Sequence, residues 1–215
     1  MMTRAILLAF GICVALRAGA SGTIRVVAKD PKGAPVADAV AFVVALDAPA
    51  PVHPPADPVA ITQRDQDFKP YVTPIVVGTR VSFPNRDTVQ HHVYSVSPAK
   101  KFEIPLYIGE STATILFDRP GPVTLGCNIH DWMVAYIYVL ATPYYAKTGA
   151  DGAADITGLP PGRYTLELWH PRLAAKVYRE LAIEGTGDTV QVVSVTLRPD
   201  RRIRRVPDSD GAGYR

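Results

Sequence analysis

Gly126-Cys127-Asn128-Ile129-His130-Asp131-Trp132-Met133 lies between two runs of alternating apolar residues, Gly121 to Leu125 and Val134 to Leu140. Runs of that length and period read as strands. The eight residues between them are therefore a tight loop that presents Cys, His and Met from one end of a sheet. Thiolate, imidazole and thioether are soft and borderline donors. A trigonal thiolate and imidazole set with a distant thioether suits copper, because sulfur stabilises the reduced ion and nitrogen accepts the oxidised one. The loop lacks one imidazole of that set. Upstream, Val81-Ser82-Phe83-Pro84-Asn85-Arg86-Asp87-Thr88-Val89-Gln90-His91-His92-Val93 supplies two adjacent histidines where a loop enters a strand. Neighbouring strand residues face opposite sides, so only one of the pair can point at a shared ion.

Outward from this loop the same kind of pattern continues. Alternating β-branched and aromatic runs, broken by Gly, Pro, Asn and Asp, recur from Thr23 onward, and no segment sustains a helical period. The fold class is all-β. Strands are predicted over 23–28, 39–46, 60–64, 75–76, 80–83, 91–95, 112–117, 121–125, 134–140, 153–156, 164–169, 176–183 and 189–197. The stretch Ala48-Pro49-Ala50-Pro51-Val52-His53-Pro54-Pro55 is too proline-rich for a central strand and reads as an extended spacer.

The first residues are set apart from this pattern. Met1 to Arg4 is short and basic, Ala5 to Leu16 is apolar, and Ala18-Gly19-Ala20 ends in small residues, the layout of a secretory signal peptide over 1–20. The expected location is periplasmic or secreted. No later run is long and apolar enough to span a membrane as a helix. Of Cys13 and Cys127, only Cys127 then remains, a free thiol in an oxidising compartment that something must occupy or shelter. The formal charge of +3 includes Arg4 and Arg17, whose loss leaves about +1, which argues against a nucleic-acid partner for the folded body. Arg198, Arg201, Arg202, Arg204 and Arg205 cluster near the end, and 201–215 reads as a basic, solvated tail.

Two resemblances give these pieces names. Gly78 to Phe83, Asn85, His91-His92-Val93 and the Cys-x-x-His-x-x-Met spacing resemble the blue-copper cupredoxins of the plastocyanin and amicyanin kind. The wider run, with Ser97-Pro98-Ala99-Lys100-Lys101-Phe102, is similar to cupredoxin-like proteins labelled methylamine utilization proteins. The likeness covers about residues 65 to 142. It implies a Greek-key β-sandwich with one type 1 copper held by His91, Cys127 and His130, with Met133 as the axial thioether. It further implies a one-electron carrier with a redox partner protein, and not an enzyme. Two departures stand out: His92 occupies the place where related proteins carry an Asn that ties the ligand loops together, and Ile129 and Asp131 replace prolines beside the loop histidine.

The second resemblance joins distant segments. Gly22 to Val44, with its Asp30-Pro31-Lys32-Gly33 turn, and Thr148 to Leu168, with Gly149-Ala150-Asp151-Gly152 and Gly158-Leu159-Pro160-Pro161-Gly162, resemble halves of a small carboxypeptidase regulatory-like, or transthyretin-like, β-sandwich. The expected organisation is nested: 21–50 with 143–200 as that sandwich, and 56–142 as the cupredoxin domain inserted in it. A serial arrangement is the alternative.

Other readings are weaker on chemical grounds. Multicopper oxidation needs a His-Cys-His run and several His-x-His pairs, whereas the chain has five histidines and no such run. Cysteine hydrolysis has no helix N-terminus here to lower the thiol pKa. The remaining alternatives are a periplasmic Cu(I) binding or delivery protein, and an interaction module with a vestigial site. Trp132 is expected to shield the site, His53 and His170 to be ordinary surface residues, and Lys100-Lys101 to form a solvated turn. The edge of the His130 ring is expected to be exposed.

Overall fold

The computed structural model describes residues 21–110, 113–183 and 188–200. In chain order the strands are β1 (Gly22–Lys29), β2 (Val40–Ala45), β3 (Val59–Ala60), β4 (Thr62–Gln63), β5 (Phe68–Lys69), β6 (Val72–Val76), β7 (Thr79–Ser82), β8 (His91–Ser97) and β9 (Lys100–Tyr107). There follow β10 (Ile115–Phe117), β11 (Gly121–Gly126), β12 (Val134–Leu140), β13 (Tyr145–Lys147), β14 (Ala153–Leu159), β15 (Gly162–Trp169), β16 (Val177–Ile183) and β17 (Asp188–Ser194). Among the described residues there is no helix. The fold is an all-β sandwich architecture. The signal-like segment 1–20 and the tail 201–215 lie outside the described residues.

Pairing sorts the strands into two groups. A five-stranded sheet runs β6-β12-β11-β8-β9, and a three-stranded sheet β10-β7-β3. Side chains from both meet in one apolar cluster that includes Ile75, Val81, Val93, Phe117, Leu125 and Ile137. In the second group, β14-β1-β17 and β13-β2-β15-β16 form two sheets. Their common cluster includes Ile24, Val26, Val43, Ile156, Leu166 and Val193. Thus β1 pairs with β14 and β17, and β2 with β13 and β15, strands more than a hundred residues further along the chain.

Strand alternation also joins the groups. On β12, Ala135, Ile137 and Val139 enter the first core. The intervening Tyr136 and Tyr138 point the other way, where Trp169 of β15 and Phe42 of β2 meet them at ring-centroid distances of 4.8 to 6.2 Å. On β2, Ala41 and Val43 enter the second core, while Val40 and Phe42 turn to a small third cluster with Val72 and Leu140. A strand buried on both faces reads as an unbroken apolar run, as Val40-Ala41-Phe42-Val43 does.

Three strands escaped the sequence pattern: β5, β9 and β13. Of these β9 matters most, since Lys100 and Lys101 open it and the turn before it is Pro98-Ala99. β9 is a sheet edge with Lys, Glu and Pro turned outward, the composition that blunts an edge against further pairing and also hides it from a hydrophobic-pattern search. Pro105 lies where the β8–β9 register slips between His91 and Val93, a bulge that needs no N–H from it. The predicted 60–64 strand is split into β3 and β4, and of the predicted 112–117 strand the described part is a strand from Ile115. The proline-rich stretch carries no strand.

Gly152 closes the junction of β1 and β14. Its φ is +74°, and a Cβ there would sit 2.5 Å from the Ala28 carbonyl oxygen, whose own residue donates its N–H to the Gly152 carbonyl at 2.8 Å. Gly152→Ala should therefore cost at least about 2 kcal/mol of folding stability, from left-handed strain plus the clash. Urea unfolding of both chains measures it.

Candidate metal centre

The loop quoted at the outset is anchored on both sides by ladder bonds. β11 pairs with β12 from Gly121↔Val139 to Gly126↔Val134, and Gly126 also faces Tyr94 of β8. A Cβ on Gly126 would lie 3.0 Å from the Tyr94 ring, so glycine lets β8 and the loop approach this closely without displacing that ring. Within the loop, Cys127, His130 and Met133 are buried while Asn128, Ile129 and Asp131 face out. A turn in which Met133 donates its N–H to the His130 carbonyl at 2.9 Å produces this three-residue rhythm.

Three donors converge at the end of the first core. His91 Nδ1 lies 3.1 Å from His130 Nδ1, and Cys127 Sγ lies 3.6 Å from the same His130 nitrogen. Ligand atoms of His91, Cys127 and His130 all lie within 4.8 Å of one another. Their exposures are 0%, 4% and 5%. Met133 is wholly buried in the same apolar cluster as Cys127. Of the adjacent histidines, His91 joins the group; His92 turns aside and donates Nε2–H to Glu103 at 2.8 Å.

The electrostatics follow from what surrounds the sulfur. Burial by itself pushes the Cys127 thiol up. The hydrogen bond with His91 and the backbone N–H groups of His92, Ile129 and His130 outweigh it and hold the thiol below its ordinary value. His91 shows the complementary balance: burial pulls its pKa down, but Cys127 and Asp87 together raise it. Two imidazole nitrogens and a sulfur at these separations also fit one ion. With metal–nitrogen bonds of about 2.0–2.1 Å and a metal–sulfur bond of about 2.3 Å, donors sharing an ion stand 3 to 4 Å apart, as both measured pairs do.

Of the residues around the donors, Asn85 belongs to the motif that carries the resemblance, whereas Asp87 and Gln63 were given no role in the sequence. Asp87 Oδ2 accepts Nε2–H of His91 at 2.8 Å. Asn85, almost wholly buried, donates from Nδ2 to the carbonyls of Val89 and Tyr107, each at 2.9 Å, and accepts the Asp87 N–H at 2.9 Å. The spacing Asn85-Arg86-Asp87 is that of an Asx turn, a signal present in the sequence. Buried Gln63 donates to the Phe83 carbonyl at 2.9 Å and meets the Tyr107 hydroxyl, which donates to the same carbonyl. No local pattern marks Gln63. Trp132 covers His130 at a centroid distance of 5.2 Å, as its expected shielding role requires.

Two expectations need correction. The His130 ring is almost covered, not edge-exposed, because Trp132 and His91 pack against it. His170 is buried, with Nδ1 accepting the Arg172 N–H at 3.1 Å, whereas His53 is on the surface as expected.

No family model matches the chain, and no curated protein sequence matches it. Among solved structures it is similar to a purple cupredoxin from Nitrosopumilus maritimus, with 23% identity over 38% of this chain and 99% of that one and a TM-score of 0.35. It is also similar to a reduced mutant of amicyanin, with 18% identity over 40% and 85% of the two chains and a TM-score of 0.37. A copper-containing nitrite reductase from Thermus scotoductus SA-01 shares 28% identity over 54% of this chain, with a TM-score of 0.37, but the match spans only 28% of that enzyme. TM-scores of this size leave the site to be read on its own geometry. Burial pushes the Tyr107 hydroxyl beside it up to about 12. Between pH 10 and 12 the folded chain should keep a proton that the unfolded chain has lost, so stability should fall as pH rises through that window. Tyr107→Phe should flatten that slope, as followed by denaturant unfolding against pH.

Proposed function

We propose that the chain is an exported type 1 copper protein that carries single electrons, with His91, Cys127 and His130 as ligands and Met133 as the axial thioether. The observation that supports it most is the burial of one thiolate-prone sulfur and two imidazole nitrogens within reach of a common point. In this reading copper supplies a one-electron couple between its two oxidation states, to which a mixed sulfur and nitrogen donor set is suited. The chain does the rest. The His91 hydrogen bond and the backbone N–H groups of His92, Ile129 and His130 favour the thiolate form of Cys127, and strands β8, β11 and β12 hold the donors in place, so the ligands need not rearrange when the charge changes.

The absence of catalysis belongs to the same proposal. With all three donors almost fully covered, a substrate atom has no open position at the ion, which metal-assisted chemistry requires. An electron can still pass through the thin cover at His130, beside exposed Ile129, to a redox partner protein. Export would place the protein in the periplasm or outside the cell, where burial and metal ligation together protect the lone Cys127 thiol.

The nested organisation is likewise our reading: a cupredoxin-type sandwich over 56–142, inserted in a transthyretin-like sandwich of 21–50 with 143–200. The separate apolar clusters and the pairing of β1 and β2 with strands beyond residue 142 support it.

Copper(II)-loaded protein should show an intense thiolate charge-transfer band with a matching spin-resonance signal. Cys127→Ala should abolish the band and His53→Ala should leave it intact. Reversible electrochemistry is expected for a carrier, and copper passed to a second protein without change of oxidation state would favour a delivery role instead.

A further inference from the structure

His92, next in the chain to His91, is turned away from the ligand loops toward Glu103 and does not join them. The loops are nonetheless joined, by another route. The Asp87 carboxylate takes three hydrogens: Asp65 N–H on Oδ1 at 2.7 Å, and on Oδ2 both Gln66 N–H and His91 Nε2–H, at 2.9 and 2.8 Å. Asp65 and Gln66 are the central residues of the turn between β4 and β5, and both have positive φ, 58° and 54°. The Gln66 carbonyl in turn accepts the Trp132 indole N–H at 3.1 Å, and Trp132 lies on the His130 ring. A closed circuit results, from His91 through Asp87, Gln66 and Trp132 to His130 and back to His91 across 3.1 Å.

Resting on the copper reading, we propose that Asp87 is the positioning residue of the centre and that its carboxylate sets the preference of the bound ion for its oxidised state. Two physical effects act in the same direction. By taking Nε2–H, Asp87 fixes the tautomer that leaves a lone pair on Nδ1, oriented toward Cys127 and His130, and makes that nitrogen a stronger donor. Its negative charge, with the side chain only 13% exposed, is weakly screened and favours the more positive ion. Three hydrogen bonds to this carboxylate keep it in place. Asn cannot reproduce the arrangement, because only one of its side-chain atoms accepts. Ser keeps one acceptor and no charge.

Asp87→Asn and Asp87→Ser in the full mature chain provide the test, with Asp118→Asn as a control at the opposite end of β8, where Asp118 pairs with Lys100. The midpoint potential is followed through the thiolate band, Cu(I) affinity by chelator competition, and folding by circular dichroism. Loss of a ligand-orienting partner typically weakens metal binding about 10- to 100-fold. If Cu(II) bears a tenfold greater loss than Cu(I), the one-electron potential rises by about 59 mV. We expect a rise of that order in whichever neutral variant folds, and no change in the control. Folded neutral variants with the band and the wild-type potential would overturn the role of Asp87. A wild-type chain that binds Cu(II) without the band would instead overturn the copper reading.

Discussion

A buried sulfur has to be made comfortable, and the first sandwich is organised around that requirement. Removing Cys127 from water penalises its thiolate, and the compensation comes from hydrogen bonds aimed at Sγ by His91 and three backbone N–H groups. None of those donors is adjustable on its own. His92 N–H is placed by the register shift between His91 and Val93 on β8, the Ile129 and His130 N–H groups by the loop turn, and the His91 ring by Asp87. The centre is thus a property of where strands end.

That rigidity suits the electron-carrier role proposed above. A centre whose donors are set by sheet geometry resists rearrangement when charge is added or removed. The circuit through Asp87, Gln66 and Trp132 extends the same logic one layer outward. It links the strand that carries His91 to the loop that carries His130 through a turn from a third part of the chain. The second group of sheets meets the first through β12, whose outward tyrosines pack on Trp169 and Phe42. One strand therefore serves the first core and the junction between the groups, by alternation alone.

Much of this was legible in the chain. Period-two runs located most strands, since a half-buried strand must alternate, and the spacing of Cys127, His130 and Met133 singled out the loop because those residue types share a chemistry. The departures have physical causes. β9 escaped because an edge strand carries charge and proline where a central strand carries apolar residues. His170 was taken for a surface residue because a single polar residue before a proline has no periodic context. The sequence assigned Asp87 no role because its partners lie at positions 65, 66 and 91.

By itself the sequence determined the all-β class and the strand-bounded loop that carries Cys127, His130 and Met133, because each depends on residues close together along the chain. The residue pattern left open which of His91 and His92 lies with Cys127 and what β1 and β2 pair with, and pointed to them only through family resemblance; the tertiary structure sets His91 beside Cys127, pairs β1 and β2 beyond residue 142, and alone decided that Asp87 holds the His91 ring. Those features depend on contacts between segments distant in sequence. Strand alternation states which face a residue takes, but not what waits on that face.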